Sequence, residues 1–256
     1  MDLGISGRTA LVLGGTQGLG LSCAQALAAA GVKVVINGRD PERAAQIAES
    51  FGASAVAGDV SRPEERRRIV EEASAVGPIS ILVTNAGGPP PGPVEKHDHE
   101  TWLKALETNM LAALDIAVQC LPVMKEQGFG RIVNITSFTV RDPYPNMGLA
   151  TGVRAGLTGA MASLSREVAE TGVTVNNLLP GLMDTGALHR VYSAQAASEG
   201  ITEEAAKARM AESVPMRRLG LPEDFGQVCA FLCSRHAAYM TGQNITVDGG
   251  LSRSLL

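Results

Sequence analysis

The stretch Thr9-Ala10-Leu11-Val12-Leu13-Gly14-Gly15-Thr16-Gln17-Gly18-Leu19-Gly20 decides the fold. Thr9 to Leu13 reads as a buried strand, the glycines open a tight turn, and the Ala-rich run Leu19 to Ala30 continues as a helix. A strand that passes through glycines directly into a helix is the first half of a βαβ unit. The same cadence repeats outward from it. Val32 to Ile36, Ser54 to Ala57, Ile79 to Thr84, Arg131 to Thr136, Val173 to Leu178 and Asn244 to Val247 read as strands. Between them lie helical stretches: Pro41 to Phe51, Pro63 to Ala75, Asp98 to about Gln127 despite Pro122, Gly148 to Thr171, and Pro222 to Ser234.

This alternation predicts an α/β fold: a Rossmann-type, doubly wound parallel sheet of seven strands with helices on both faces. The strands are apolar throughout, as strands buried on both faces must be. No composition break marks a boundary, so residues 1–256 are expected to form a single domain. Only residues 182–214 interrupt the cadence. They are Ala/Glu-rich, helical in part, and follow the sixth strand where a substrate lid would sit, although an interface helix has the same pattern.

The chain's 256 residues are 45% hydrophobic and 19% charged, which supplies a core and argues against disorder. With a net charge of −4, its only basic run is Arg66-Arg67-Arg68, set among Glu64, Glu65, Glu71 and Glu72. That reads as a solvated helix face, so no nucleic-acid partner is expected. No apolar run approaches a bilayer span, and Met1-Asp2-Leu3-Gly4 lacks the features of a leader. Cys23, Cys120, Cys229 and Cys233 read as buried reduced thiols, consistent with a cytoplasmic protein. His97 and His99 read as solvated residues at a helix start, and no metal site is expected.

Glycines are needed at such a turn when the backbone must approach a pyrophosphate, with the N–H groups of the following helix facing the anion. Here Gly14, Gly18 and Gly20 give a GxxxGxG spacing, with Thr16, Gln17 and Leu19 among them. The end of the second strand reports on the dinucleotide. A carboxylate there bonds both ribose hydroxyls and repels a 2′-phosphate. This chain has Asn37-Gly38-Arg39 instead, and the Arg39 guanidinium can donate two hydrogen bonds to a phosphate. NADP(H) is therefore expected over NAD(H).

With these residues in place, the chain resembles the short-chain dehydrogenase/reductase family over nearly its whole length. The resemblance continues in order through Asp59-Val60, where the family contacts adenine, and Asn85-Ala86-Gly87 after the fourth strand. It then takes in Pro180-Gly181 with Thr185, the segment that grips the nicotinamide carboxamide, and Tyr239-Met240-Thr241-Gly242 leading to Val247-Asp248-Gly249-Gly250. It departs at Leu13, where the family has Thr. The resemblance implies hydride transfer between NADP(H) and a small-molecule carbonyl or alcohol, with Ser137 orienting the carbonyl and Asn109 holding a relay water. The nearest named activity is that of 3-oxoacyl-carrier-protein reductases. The family also forms dimers or tetramers, and the run Gly152, Ala155, Gly156, Gly159, Ala160 would allow close helix packing, against a second copy or against the chain's own sheet.

The same register puts Ala150 and Arg154 where the family has Tyr and Lys. The usual proton donor is absent. Arg154 can still reach the nicotinamide ribose and place a positive charge near an alkoxide, but it does not give up a proton at neutral pH. Tyr144, or His189 and Tyr192 from the lid, are the side-chain substitutes the sequence offers, and water is another. Three readings stay open: an NADP(H)-dependent oxidoreductase acting on an apolar ketone or alcohol, a cofactor-binding protein without turnover, and a non-redox isomerase or lyase.

Overall fold

In the computed structural model, which describes residues 1–254, the first strand β1 (Thr9–Val12) leads through the glycine turn into α1 (Gly18–Ala29). β2 (Lys33–Gly38), α2 (Pro41–Glu49), β3 (Ser54–Ala57), α3 (Pro63–Ser74) and β4 (Ile79–Thr84) complete the first half. Asp40 starts α2 by accepting a hydrogen bond from the Arg43 amide at 3.1 Å, and Pro41 follows in the first turn. The second half runs α4 (His99–Leu106), α5 (Ala112–Glu126), β5 (Gly130–Ile135), α6 (Gly148–Val168), β6 (Val173–Pro180), α7 (Gly186–Glu199), α8 (Glu203–Ser213), α9 (Pro222–Cys233) and β7 (Asn244–Val247).

Among the described residues the seven strands form one parallel sheet, ordered β3-β2-β1-β4-β5-β6-β7. Side chains alternate across it with the period of two that a strand imposes. Ala10, Val12, Val34, Ile36, Ile81 and Val83 face α1 and α9. Leu11, Leu13, Val35, Leu82 and Ile132 face the opposite layer of α3, α5 and α6. Both layers bury the sheet, which explains why its strands are apolar without interruption. The run His99–Glu126 is long and apolar enough to cross a membrane by composition. Its apolar face is occupied, however: Ile116, Ala117, Cys120 and Met124 are buried against the sheet.

One feature of the sheet is polar. Thr84 Oγ1 donates to Asn134 Oδ1 at 2.8 Å, Asn134 Nδ2 to Asn177 Oδ1 at 3.0 Å, and Asn177 Nδ2 to Asn244 Oδ1 at 2.8 Å. This ladder crosses from β4 to β7 inside the core. Each amide satisfies its neighbour, and a one-residue slip of any strand would orphan buried amides.

The strand order reverses between β1 and β4. In such sheets the crevice beyond the carboxyl ends of the strands at that point is where ligands bind.

Candidate functional site

Gly14 and Gly18 adopt φ of +57° and +55°, the left-handed region that glycine enters without strain. A Cβ at Gly20 would collide with the Gly14 carbonyl oxygen, and one at Gly14 would lie 2.7 Å from Asn85 Nδ2. That amide holds the turn closed by donating to Gly14 O at 3.1 Å. Asn85 is thus the strut between the turn after β1 and the end of β4. Leu13, where Thr was the expected residue, is buried, and its amide bonds Val83 O at 2.9 Å. The backbone of β1 is therefore held without a hydroxyl at that position.

The turn fits a pyrophosphate. Neither a side-chain cap nor an acid occupies the first turn of α1, so its amides are left to a ligand. A Cβ built at Gly18 would make ordinary van der Waals contact with the Thr185 side chain, at 3.7 and 3.8 Å, so Thr185 packs directly over that glycine. Thr185 itself begins α7, its Oγ1 accepting from the Leu188 amide at 3.4 Å. Pro180-Gly181 is anchored from below by the Gly181 amide, which donates to Val247 O at 3.0 Å.

At the end of β2, Asn37 is buried and donates to Val56 O and Gly58 O at 3.2 and 3.1 Å, so it belongs to the sheet rather than to a ligand. A Cβ at Gly38 would stand 2.5 Å from the Thr16 methyl, which adds a steric objection to an acid there. Arg39 is exposed at the rim. A second guanidinium, which the sequence reading missed, stands nearby: Arg43 Nη2 donates to Gln17 Oε1 at 3.0 Å. The signal for it was the Asp40-Pro41 helix start, whose first turn had to project back toward the glycines. At Asp59, burial acts to raise the pKa. Hydrogen bonds from Ser61 and the charges of Arg39 and Arg62 outweigh it, so the carboxyl stays below its usual range.

Val60, Asn85, Ala86, Asn109 and Arg154 line one cavity at the switch point, together with Leu13. Asn109 is buried in a π-turn, Glu107–Leu111, that interrupts the helical run expected from Asp98 to Gln127. Such turns, with i to i+5 bonds, concentrate at functional sites. Burial pushes the Arg154 pKa down, and among the described residues no carboxylate pairs with it. Its guanidinium lies beside Gly88, where an added Cβ would be 3.5 Å away. Ser137, after β5, is buried; its Oγ accepts from the Thr139 amide and hydroxyl at 3.2 and 3.0 Å, leaving its own proton to donate.

Ala150 lies near the start of α6 with 3% exposure. The substitute donors have other surroundings. Tyr144 is exposed, its ring edge-on to Phe138 at 6.0 Å. Tyr192 is instead buried in a small core between α7 and α8, with Ala196 and Ala206. His189 meets the Tyr192 ring edge-on, with centroids 4.9 Å apart, and its Nε2 sits 3.2 Å from Glu203. Hydrophobic packing within the helical pair therefore claims Tyr192, whereas His189 is exposed beside Glu203.

Two other expectations need correction. Arg66 is not on a solvated face: it is 3% exposed, whereas its neighbours Arg67 and Arg68 do face solvent. Nor is His97 solvated, since its Nε2 is buried without a hydrogen-bond partner and its ring packs against Gly92. The four cysteines are free and buried, and burial lifts the Cys120 thiol to about 12.

A family model described as enoyl-(acyl carrier protein) reductase matches residues 14–252. The chain is 30% identical over 259 residues to the NADPH-dependent reductase BacG of Bacillus subtilis, covering 98% of this chain and 100% of that protein. It is 33% identical over 261 residues to the 3-oxoacyl-(acyl-carrier-protein) reductase FabG of Aquifex aeolicus, covering 98% of this chain and 100% of that one. Among solved structures, L-sorbose reductase of Gluconobacter frateurii, in complex with NADPH and L-sorbose, superposes with a TM-score of 0.94 at 30% identity, covering all of both chains.

Proposed function

This chain belongs to the short-chain dehydrogenase/reductase family, and from that premise we propose that it is an NADP(H)-dependent reductase of a small-molecule carbonyl. One observation carries the reading. An uncapped α1 behind the glycine turn faces Thr185, with two arginines at its rim and the half-buried Arg154 guanidinium on the same crevice.

Bound NADPH would supply a hydride from the nicotinamide. The chain's own residues do the rest. First-turn amides of α1 hold the pyrophosphate, Arg39 and Arg43 take the 2′-phosphate, and Asp59-Val60 border the adenine. Asn85, Ala86 and Gly87 wall the nicotinamide side, with Pro180, Gly181 and Thr185 closing over it. Arg154 takes the ribose hydroxyls and, with the Ser137 hydroxyl, holds the oxygen on which charge develops. Asn109 holds the water that supplies the proton in place of a phenol. Residues 182–214 act as the lid and choose the substrate, an apolar ketone or 3-oxoacyl-like compound. The protein is a cytoplasmic, single-domain chain that assembles as a dimer or tetramer.

A second reading, cofactor binding without turnover, is favoured by the buried methyl of Ala150, which leaves no phenol at the donor position. Titration of NADPH fluorescence and NADPH oxidation over a panel of ketones, 3-oxoacyl thioesters and quinones decide between them. Binding with turnover supports the reductase. Tight binding with none across the panel supports the second reading, and no binding ends both.

A further inference from the structure

Arg66 is the one member of its basic triplet that turns inward, and its guanidinium joins two parts of the crevice that are far apart in sequence. Nε donates to Val60 O at 2.7 Å. Nη1 meets Asp115 Oδ2 at 3.2 Å, and Nη2 pairs with Glu107. Val60 follows Asp59 in the loop assigned above to the adenine. Glu107 opens the π-turn that carries Asn109, and Asp115 lies one turn beyond it on α5. Val60 and Asn109 line the same cavity. The Arg66 side chain is 4% exposed, against 33% for Glu107 and 39% for Asp115, so the cation is the desolvated member and has no alternative partner in solvent.

We propose that Arg66 is a positioning residue that couples occupancy of the adenine end of the cofactor site to the conformation of the Asn109 turn. The physical argument starts from the turn. A π-turn is a rare interruption of the i→i−4 ladder and a point at which helices bend, so a hold from outside can set its conformation. Here the outside hold is a planar fork gripping the turn's first residue and the helix after it. That fork is itself aimed by a single backbone carbonyl. A nucleotide that fixes the Asp59-Val60 loop fixes Val60 O, and through it the guanidinium, Glu107 and the turn. Binding at one end of the dinucleotide thereby organises the residue assigned to the other end. Lysine would not reproduce this arrangement, because its three donors radiate from one nitrogen and lack the planar fork that spans Val60 O, Glu107 and Asp115.

The inference rests on the reading that Asp59-Val60 borders the adenine, and the experiment separates the two. The probe is 2′,5′-ADP, the adenylate half alone, which does not extend to Asn109. Hydrogen exchange is measured across residues 106–112 with and without it, in the wild type, Arg66→Met and Glu107→Gln. In the wild type, exchange in the turn slows about fivefold or more on binding, the lower end of ordinary coupling between sites. In either variant that slowing disappears while 2′,5′-ADP still binds. A merely structural role for Arg66 would speed exchange in the free protein and leave the response to nucleotide intact. Glu107→Gln keeps the experiment decisive if Arg66→Met fails to fold, since Glu107 is partly exposed and glutamine has its shape. If 2′,5′-ADP binds and the wild-type turn does not respond, or the variants respond equally, the coupling is refuted. If it does not bind at all, the nucleotide reading fails first.

Discussion

Between Thr9 and Ala57 the sheet carries a grip made mostly of backbone: three glycine positions, the amides of a helix start, and one strut from Asn85. Between Gly130 and Pro180 the same sheet carries a site made of a few side chains: Ser137, just beyond β5, and Ala150 and Arg154 on α6. The glycine pattern of the first region is complete, while the second has Ala and Arg at two of the family's usual positions. A backbone grip resists drift because every change at Gly14 or Gly20 meets another atom. A side-chain site has no such protection: replacing a phenol by a methyl at Ala150 leaves helix, sheet and register intact. Chemistry in this fold is therefore easier to change than cofactor binding.

The largest expected effect tests the second region. The pair Ala150→Tyr with Arg154→Lys should raise NADPH-linked reduction of simple ketones by about 10²–10⁴-fold, the usual worth of a positioned acid. The change in NADPH absorbance measures it. A variant that binds NADPH as the wild type does and gains no turnover would mean that the rest of this region is not built for carbonyls. In the first region, Gly20→Val should weaken NADPH by about 100-fold, equivalent to almost 3 kcal/mol, because Cβ and the Gly14 carbonyl cannot share the space. Fluorescence titration reads that loss, and circular dichroism checks that the sheet survives. A tightly binding valine variant would show that the turn relaxes and that its glycines are dispensable.

The rim between the regions gives a smaller effect. Arg39→Ala and Arg43→Ala should each reduce the preference for NADPH over NADH by about tenfold, the loss of one charge-assisted contact to the 2′-phosphate. NADH binding should change little in either. If only Arg39 matters, the Arg43 contact with Gln17 merely braces the turn.

How much of this was legible in the sequence follows the same division. The alternation of Ala10, Val12 with Leu11, Leu13 and the glycine spacing are local patterns, so strands, turn and sheet class could be read directly. Arg66 could have been found as well: it stands three residues before Ile69 and seven before Ala73, on the buried stripe of α3. Reading the three arginines as one block of charge hid that spacing. The Thr84-Asn134-Asn177-Asn244 ladder was out of reach, since it depends on the registers of four strands that no local pattern sets. The same holds for Tyr192, whose burial between α7 and α8 is decided by how two helices pack, and for the π-turn at Asn109, which follows no spacing rule.

Arg154 joins the two regions and gives the subtlest test. The half-buried Arg154 guanidinium, with no carboxylate partner among the described residues, costs the free protein some stability, because it loses part of its hydration and nothing charged replaces it. Arg154→Met, similar in reach and uncharged, should therefore stabilise the protein without nucleotide by about 1 kcal/mol, read as a higher midpoint in urea. The same variant should bind NADPH more weakly, so the gain shrinks or reverses when the melt is repeated in saturating NADPH. The opposite signs are the informative result. Loss of stability in both conditions would mean that Arg154 is a structural residue satisfied within the chain. A gain in both would mean that the cofactor never uses it, leaving the crevice with a charge that neither nucleotide nor protein requires.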